Sequence, residues 1–509
     1  MRTRLIWSGY GVLATLLGVG LAHFVAALTD PAASPVLAVG SAVIDLTPTP
    51  MKEWAIRTFG SADKPILVGS VMLGVLVLAA IAGILARRRF AVGAGLLVVL
   101  VGIAAVAVLT RPTVEVLDFL PSLVAAVTAP VALHLLARAH HTAAGSTDGT
   151  GADGNSSNGR RGVLLTIAAV AGTALVGGVG GRIVSGLRLR PENITLPAPA
   201  DPAPPLPRGL DDQVPGITRF RTPPADFYRV DTRLDVPILS ADDWTLTIDG
   251  DVDQEVTITF DELLAMDMIE RNITLTCVSN SVGGPYVGST TWLGVRLTDV
   301  LALAGVGDKA DQILSTDFDG MTISTPLDLA TDGRDAMIVV GMDGEALPRE
   351  HGFPVRMVIP GLYGFISATK WLTRLTLTTY AEQQAYWTER GWATDAPIKI
   401  STRIDTPRAL AEIDAGEVVV GGVAWAQERD GIAGVQVRID GGPWVDAQLG
   451  PDGGENYWRQ WFFKWPAESG SHRIAARAVS GSGEAQTAVR AEPFPDGASG
   501  LHELIVNVS

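Results

Sequence analysis

Five stretches of this chain are each apolar over about the length a helix needs to cross the hydrocarbon core of a bilayer. They run over roughly 5–27, 65–86, 90–110, 119–137 and 163–185. Segments of this kind commit residues 1–186 to a transmembrane region and leave the remainder to fold in water. The averages agree with such a division: mean hydropathy is +0.27, yet the formal net charge is −15 and the isoelectric point about 4.9. Those values fit together only where one part is embedded in lipid and another is acidic and soluble. An acidic soluble part argues against nucleic-acid binding, which needs a basic face.

Loop charges set the expected orientation. Arg2 and Arg4 precede the first span, Arg87, Arg88 and Arg89 separate the second from the third, and Arg138, Arg160 and Arg161 separate the fourth from the fifth. The other loops are mixed or acidic, with Asp30, Asp45, Glu53, Asp63, Glu115 and Asp118. The positive-inside bias places the N-terminus in the cytoplasm, and an odd number of spans places everything after residue 185 outside. A shorter apolar piece, about 35–46, carries Asp45 between flanking prolines and reads as interfacial or re-entrant. His23 and His134 lie near opposite ends of their spans, so they differ in depth by roughly 20 Å or more, too far to share one haem. No intramembrane carboxylate pattern suggests a transporter. The helical part reads as an anchor or a docking surface.

Gly159-Arg160-Arg161-Gly162-Val163-Leu164-Leu165-Thr166 enters the fifth span with two readings open. It looks like a twin-arginine export signal, which carries folded, cofactor-loaded proteins, or it adds two more positive-inside arginines. Residues 142–162 are rich in Gly, Ser, Asn and Asp and read as a flexible cytoplasmic loop. Residues 187–222 form a proline-rich extracytoplasmic linker, with Pro191, Pro197, Pro199, Pro202, Pro204, Pro205, Pro207 and Pro215 favouring a stiff, extended spacer.

From about 223 the pattern changes to short alternating runs. Trp244–Gly250 and Val256–Phe260 read as strands. A helix is expected to start with Asp261 as its N-cap and another at Leu297. Residues 223–394 therefore read as an α+β domain. Over 395–509 nearly every run is a strand, including Glu417–Trp425, Val435–Ile439, Arg459–Trp465 and His472–Val479, with turn signals at Asp440-Gly441-Gly442 and Ser480–Gly483. That rhythm reads as an all-β immunoglobulin-like sandwich. Trp425, Trp444, Trp461 and Trp465 are expected to fill its core or an interface.

The chain has one cysteine, Cys277, in Thr276-Cys277-Val278-Ser279-Asn280. It cannot form an internal disulfide, and a free thiol outside the cell is open to oxidation. Taken alone it is either a small buried apolar residue or a thiolate held by a soft metal.

The soluble half resembles the sulfite-oxidase-type molybdopterin oxidoreductases over nearly the whole of its length. The resemblance rests on Phe227-Tyr228-Arg229-Val230-Asp231, on Thr276 through Asn280 followed by Trp292–Val300, on Met342 through Arg356 running into Pro360–Trp371, and on Gly422–Trp425, Gly431–Val435 and Trp458–Trp461. It implies a membrane-anchored bacterial form with one molybdenum–molybdopterin group per chain, an oxo group on the metal, and Cys277 as the metal's protein thiolate. It implies that Tyr228, Arg229, Asn280, Asp317, His351, Arg356, Ser367 and Lys370 bind the cofactor or line its pocket, with Arg and Lys on the phosphate. It places Trp392 where the family has its active-site tyrosine, and Cys277, Arg229 and Trp392 at the reacting centre. It implies a homodimer through the C-terminal domain.

The departures bear on the substrate. Val230-Asp231 stands where sulfite oxidases follow the first arginine with Asn-His, and Ser281-Val282 stands where they carry arginines after the cysteine segment. The cofactor residues match better than the sulfite-reading ones. No haem is expected, so electrons are exchanged with a separate partner, a cytochrome or a quinone-linked protein. The expected activity is two-electron oxygen-atom transfer on a small extracytoplasmic oxo donor or acceptor. The alternatives are a sulfoxide or N-oxide reductase, a binding or scaffold protein that retains the fold, and a redox-coupled transporter.

Replacing Arg160 and Arg161 with lysine separates the two readings of that pair. Twin-arginine export predicts that the C-terminal part stays in the cytoplasm, scored by protease protection, while unchanged export removes the twin-arginine reading.

Overall fold

The computed structural model describes residues 2–48, 51, 54–55, 58–59, 62–111, 113–145, 155–188 and 194–509. Glu53, Pro191 and residues 146–154 of the expected cytoplasmic loop lie outside them. The chain divides into two compact units, one of Met1–Arg190 with Thr232–Ile238 and one of Pro191–Asp231 with Leu239–Ser509.

In the first unit, five helices are long and apolar enough to cross a membrane: Thr3–Leu28, Lys64–Ala86, Phe90–Leu109, Val116–Ala143 and Arg160–Arg188. Their apolar residues surround the helix rather than forming a stripe, a distribution compatible with lipid on the outer face. The first helix packs against the second, fourth and fifth. It comes close because glycine removes the side chain at the crossings. A Cβ on Gly11 or Gly83 would overlap the backbone of the facing helix, and one on Gly177 would lie 2.9 Å from the Gly20 carbonyl. The piece expected to be interfacial or re-entrant is a shorter helix, Pro35–Leu46. His23 approaches the Ser34 hydroxyl at 3.4 Å, and His134 packs edge-on against Phe90.

The α+β part of the second unit contains β1 (Thr245–Gly250), β2 (Val256–Thr259), β3 (Met268–Thr276), β4 (Val287–Arg296), β5 (Gln312–Asp317), β6 (Thr322–Pro326), β7 (Met337–Met342), β8 (Glu345–Ala346), β9 (Arg356–Val358) and β10 (Leu372–Thr378). One sheet has the order β2-β1-β10-β5-β6, with β1 and β10 parallel. The other has the order β3-β4-β7-β8, with β9 added on β7. Leu246 and Ile248 of β1, Trp292 and Val295 of β4 and Met337–Val340 of β7 share one buried cluster. The expected cap at Asp261 is corrected. The helix is Phe260–Leu264 and its N-cap is Thr259. Thr259 Oγ1 accepts from the Glu262 amide, and the Glu262 carboxylate accepts in return from the Thr259 amide at 2.8 Å. This reciprocal capping box was open to a sequence reading through Thr259-x-x-Glu262.

The C-terminal part is made of β-strands: β11 (Ser401–Thr406), β12 (Glu412–Ile413), β13 (Gly416–Trp425), β14 (Ile432–Ile439), β15 (Val445–Asp446), β16 (Gln448–Leu449), β17 (Arg459–Ala467), β18 (Gly470–Ser480) and β19 (His502–Val508). They form sheets of order β11-β13-β17-β16 and β12-β19-β18-β14-β15. Val420, Trp461 and Trp465 from the first share a core with Val435, Ile474 and Val506 from the second. Trp425 is buried as well, in the α+β core. Trp444 is not in the core. It is half-exposed, with the guanidinium groups of Arg438 and Arg477 4.6 and 4.5 Å from its ring centre. The described residues of the proline-rich run are also not a free spacer. Ala200 donates to the Met268 carbonyl and Asp201 accepts from the Glu270 amide, so the run continues the edge of β3, and Leu210, Val214 and Ile217 pack on Val419 and Phe462.

Gly294 sits at the irregularity in the β4–β7 pairing, where a Cβ would overlap the Ile338 carbonyl. Gly294→Ala should push β7 off β4 and cost about 3 kcal/mol. Thermal unfolding of the full chain in detergent, followed by tryptophan fluorescence, measures the loss.

Candidate functional site

Three segments meet around Cys277. The first is the loop after β3. Register holds β3 to β4 as far as Thr276 and Val287, and Cys277 follows at once. Its amide donates to the Tyr286 carbonyl at 3.0 Å, closing the loop. Inside, Asn280 donates its amide to the Cys277 carbonyl, and its Oδ1 accepts from the Tyr286 amide at 2.9 Å. Asn280 is thus a brace of the cysteine loop. The thiol is 8% exposed and lies 3.0 Å from the Ser279 hydroxyl.

The second segment is the crossing of 348–358 with 369–372. The Trp371 amide donates to Gly352, Leu372 to Val355 and Met357 to Thr369. Gly352 has φ +112° and a Cβ there would lie 3.1 Å from Lys370 Cα, so only glycine suits both its backbone and its space. This crossing places His351, Arg356 and Lys370 together. The third segment is Thr222–Asp231. It is tied to β4 by the Thr222 amide donating to the Ser289 carbonyl at 2.8 Å. Phe227 packs edge-on against both Trp292 and His351 at 5.6 Å and stacks on Tyr228.

Electrostatics define the cluster further. Arg356 is 5% exposed, donates through Nη1 to the His351 carbonyl at 3.0 Å and lies over the Trp292 ring. Its buried Nε has no partner among the described residues. Burial pulls its guanidinium down to about 10, so it keeps its proton at neutral pH. Lys370 donates to Asp231 Oδ2 at 2.8 Å, and the same oxygen accepts from Arg229 Nε at 2.7 Å. Burial holds the Lys370 ammonium down to about 8 against the pull of Asp231. His351 is 3% exposed, and burial holds it down to about 4. It is therefore neutral at neutral pH, and since its Nε2 faces the Pro224 carbonyl at 2.8 Å, that nitrogen carries the hydrogen. Burial also pushes the Cys277 thiol up, while the Ser279 hydroxyl and the Lys370 charge act the other way. Tyr228 feels both Cys277 and Arg356, and burial raises its hydroxyl.

The sequence-derived candidates thus divide. Cys277, Tyr228, Arg229, His351, Arg356 and Lys370 come together. Ser367 Oγ is engaged with the Leu362 and Tyr363 carbonyls. Asp317 Oδ1 accepts from the Asp319 and Met321 amides of its own turn. Trp392 makes its ring contacts with Phe365, Trp387 and Phe494. The sequence reading missed Ser279 beside the thiol and noted Asp231 only as a departure. It also missed Arg349, buried and donating to the Leu239 carbonyl, and Thr276, whose buried hydroxyl has no partner among the described residues. The pairing of Asp231 with Lys370 joins residues 139 apart, which no local signal announces.

Among the described residues no group of three or more His, Cys, Asp or Glu could hold a metal. A metal at Cys277 therefore needs ligands from a cofactor. The site fits such a group: one thiol, an aromatic wall, and buried cations with an unused guanidinium nitrogen suited to phosphate.

Residues 233–387 match the family described as "Oxidoreductase molybdopterin binding domain". Mitochondrial sulfite oxidase of Homo sapiens is 29% identical over 311 residues, covering 51% of this chain and 55% of that protein. The Rattus norvegicus protein is 28% identical over 316 residues, covering 52% and 57%. The chain thus spans a little over half the length of these relatives. NADH nitrate reductase of Volvox carteri is 33% identical over 194 residues, covering 33% of this chain and 22% of that protein. Among solved structures, the sulfane dehydrogenase SoxCD from Paracoccus pantotrophus has the same fold over 58% of this chain and 84% of that one, at TM-score 0.51 and 22% identity.

His351 gives a test independent of activity. Its folded value lies below the ordinary 6.5, so the stability it contributes is present above pH 6.5 and is lost as pH falls towards 4. The cofactor-free chain should lose about 3 kcal/mol over that window, and His351→Gln should flatten it, read by unfolding at each pH. The matching family, its relatives and the cluster built around Cys277 point the same way: residues 233–387 form a molybdopterin-binding oxidoreductase domain similar to that of the sulfite oxidases, and the cofactor such a domain takes is molybdenum–molybdopterin.

Proposed function

We propose that this chain is a membrane-anchored oxidoreductase that carries out two-electron oxygen-atom transfer on a small extracytoplasmic substrate. The observation that carries the reading is the convergence of one buried thiol with Arg356, Lys370 and a neutral His351. When bound, the molybdenum–molybdopterin group supplies the oxygen-atom exchange and the redox change.

The residues have separate tasks. Cys277 is the metal's protein ligand, a soft thiolate suited to a metal already held by sulfur. The free Nε of Arg356 donates to the cofactor phosphate, and Lys370 adds a point charge. His351, neutral and with its Nε2 hydrogen spent on Pro224, offers its other ring nitrogen as an acceptor. Phe227 and Tyr228 give an aromatic wall for a planar pterin. Arg229 contacts the same group. Asn280, Asp317 and Ser367, each held by its own turn, frame the pocket, and Trp392 shapes the approach of the substrate to the metal.

The rest of the architecture is read in the same way. The five apolar helices cross the membrane with the N-terminus in the cytoplasm, and the fifth follows the twin-arginine route. Residues 223–394 form the cofactor domain. Residues 395–509, two β-sheets on a common core, form an immunoglobulin-like sandwich through which two copies pair. Electrons pass to or from a separate cytochrome or quinone-linked protein.

Protein from a host that makes molybdopterin should hold stoichiometric molybdenum. Cys277→Ala should retain molybdenum more weakly than wild type while the unfolding curve of its metal-free form stays unchanged, and Arg356→Met should retain cofactor about 10–100-fold more weakly. Metal analysis after gel filtration measures both, and a wild-type chain without molybdenum would overturn the proposal.

A further inference from the structure

Resting on that reading, we propose that Asp231 makes the site selective for an uncharged oxygen-atom donor or acceptor and sets it against anions. The side chain of Asp231 is 6% exposed. One of its oxygens accepts from both Arg229 and Lys370, at 2.7 and 2.8 Å. These cations, with Arg356, are the ones whose fields reach His351, and the field of Lys370 also reaches the thiol. His351 itself is neutral. Against the three cations stand the Asp231 carboxylate and, once the cofactor is bound, the Cys277 thiolate and the phosphate, while Arg349, buried at the same crossing, is turned to the Leu239 carbonyl. Asp231 thus takes up positive charge that a substrate anion would otherwise meet.

The loop beyond the thiol adds none. Residues 278–285 read Val-Ser-Asn-Ser-Val-Gly-Gly-Pro, with no basic side chain. A sulfite- or sulfate-like anion entering would lose its water shell without gaining a counter-charge, and would stand near a fixed carboxylate. An uncharged S–O or N–O group carries no such cost, since hydrogen-bond donors suffice for its oxygen. In the reducing direction the S–O or N–O bond breaks, two electrons come from the separate redox partner, and two protons leave with the oxygen as water. In the oxidising direction water supplies the oxygen, and two electrons and two protons are released.

The test uses the metal-loaded full chain in detergent, with sulfate as a non-reactive anion and dimethyl sulfoxide as the uncharged oxide. Sulfate affinity is read from its perturbation of the molybdenum(V) paramagnetic resonance signal and, separately, from inhibition of viologen-driven sulfoxide reduction. Asp231→Asn should tighten sulfate binding at least about tenfold over wild type, and Asp231→Glu should keep the wild-type value. Ser281→Arg, on the exposed part of the cysteine loop, should also tighten it and calibrates the effect of an added charge, and where Asp231→Asn loads no metal, Arg229→Met, which removes one partner of the carboxylate, should weaken sulfate binding further. The proposal is overturned if metal-loaded Asp231→Asn does not tighten sulfate binding. It is equally overturned if the wild-type chain turns over sulfite with a higher kcat/KM than any uncharged oxide. Molybdenum content measured in the same samples separates the two failures: metal present with these results overturns this inference alone, and metal absent overturns the proposed function as well.

Discussion

Arg356 brings a guanidinium into a packed interior, over the Trp292 ring and against the His351 carbonyl, with one of its nitrogens unmatched. A buried cation of this kind is expensive unless paired, and Lys370 and Arg349 are buried beside the same crossing of 348–358 with 369–372. Much of the α+β part serves to hold these charges where water is scarce. β9, which begins with Arg356, hangs on β7, β7 is held by β4, and β4 is paired with β3, the strand that Cys277 directly follows. Thiol and cations are thus fixed by one sheet, and a bound anionic cofactor relieves the charge that the fold concentrates.

The division of the chain follows its composition. Helices apolar on every face, long enough to cross a membrane, satisfy all their backbone groups internally and pack through glycine contacts, the arrangement that suits a lipid surround. The second unit buries alternating strand faces, and its polar side chains are drawn into specific pairs. The proline-rich run bridges the two regimes in sequence, yet its described residues add to the edge of β3 because extended proline-rich chain still offers carbonyls and the occasional amide to a strand edge.

The parts of this architecture legible in the sequence are those governed by local pattern. The apolar stretches, the strand alternation at 245–250 and 417–425, and the motif residues Cys277, His351 and Arg356 were all accessible, the last through resemblance. What was not legible depends on partners far along the chain. Asp231 gains its meaning from Lys370, Trp444 stays outside the core because two arginines cover its ring, and Ser367 and Asp317 turn inward to serve their own turns. The missed cap at Thr259 is different, because the Thr-x-x-Glu pattern was in plain view and the neighbouring aspartate was preferred to it.

The central claim is that the single cysteine is a metal ligand and that its solitude reflects a site needing one protein thiolate. X-ray absorption at the molybdenum edge counts the sulfur neighbours of the metal directly. The account predicts one sulfur more in the wild-type chain than in Cys277→Ser reconstituted with the same cofactor. Equal sulfur counts in the two would contradict it.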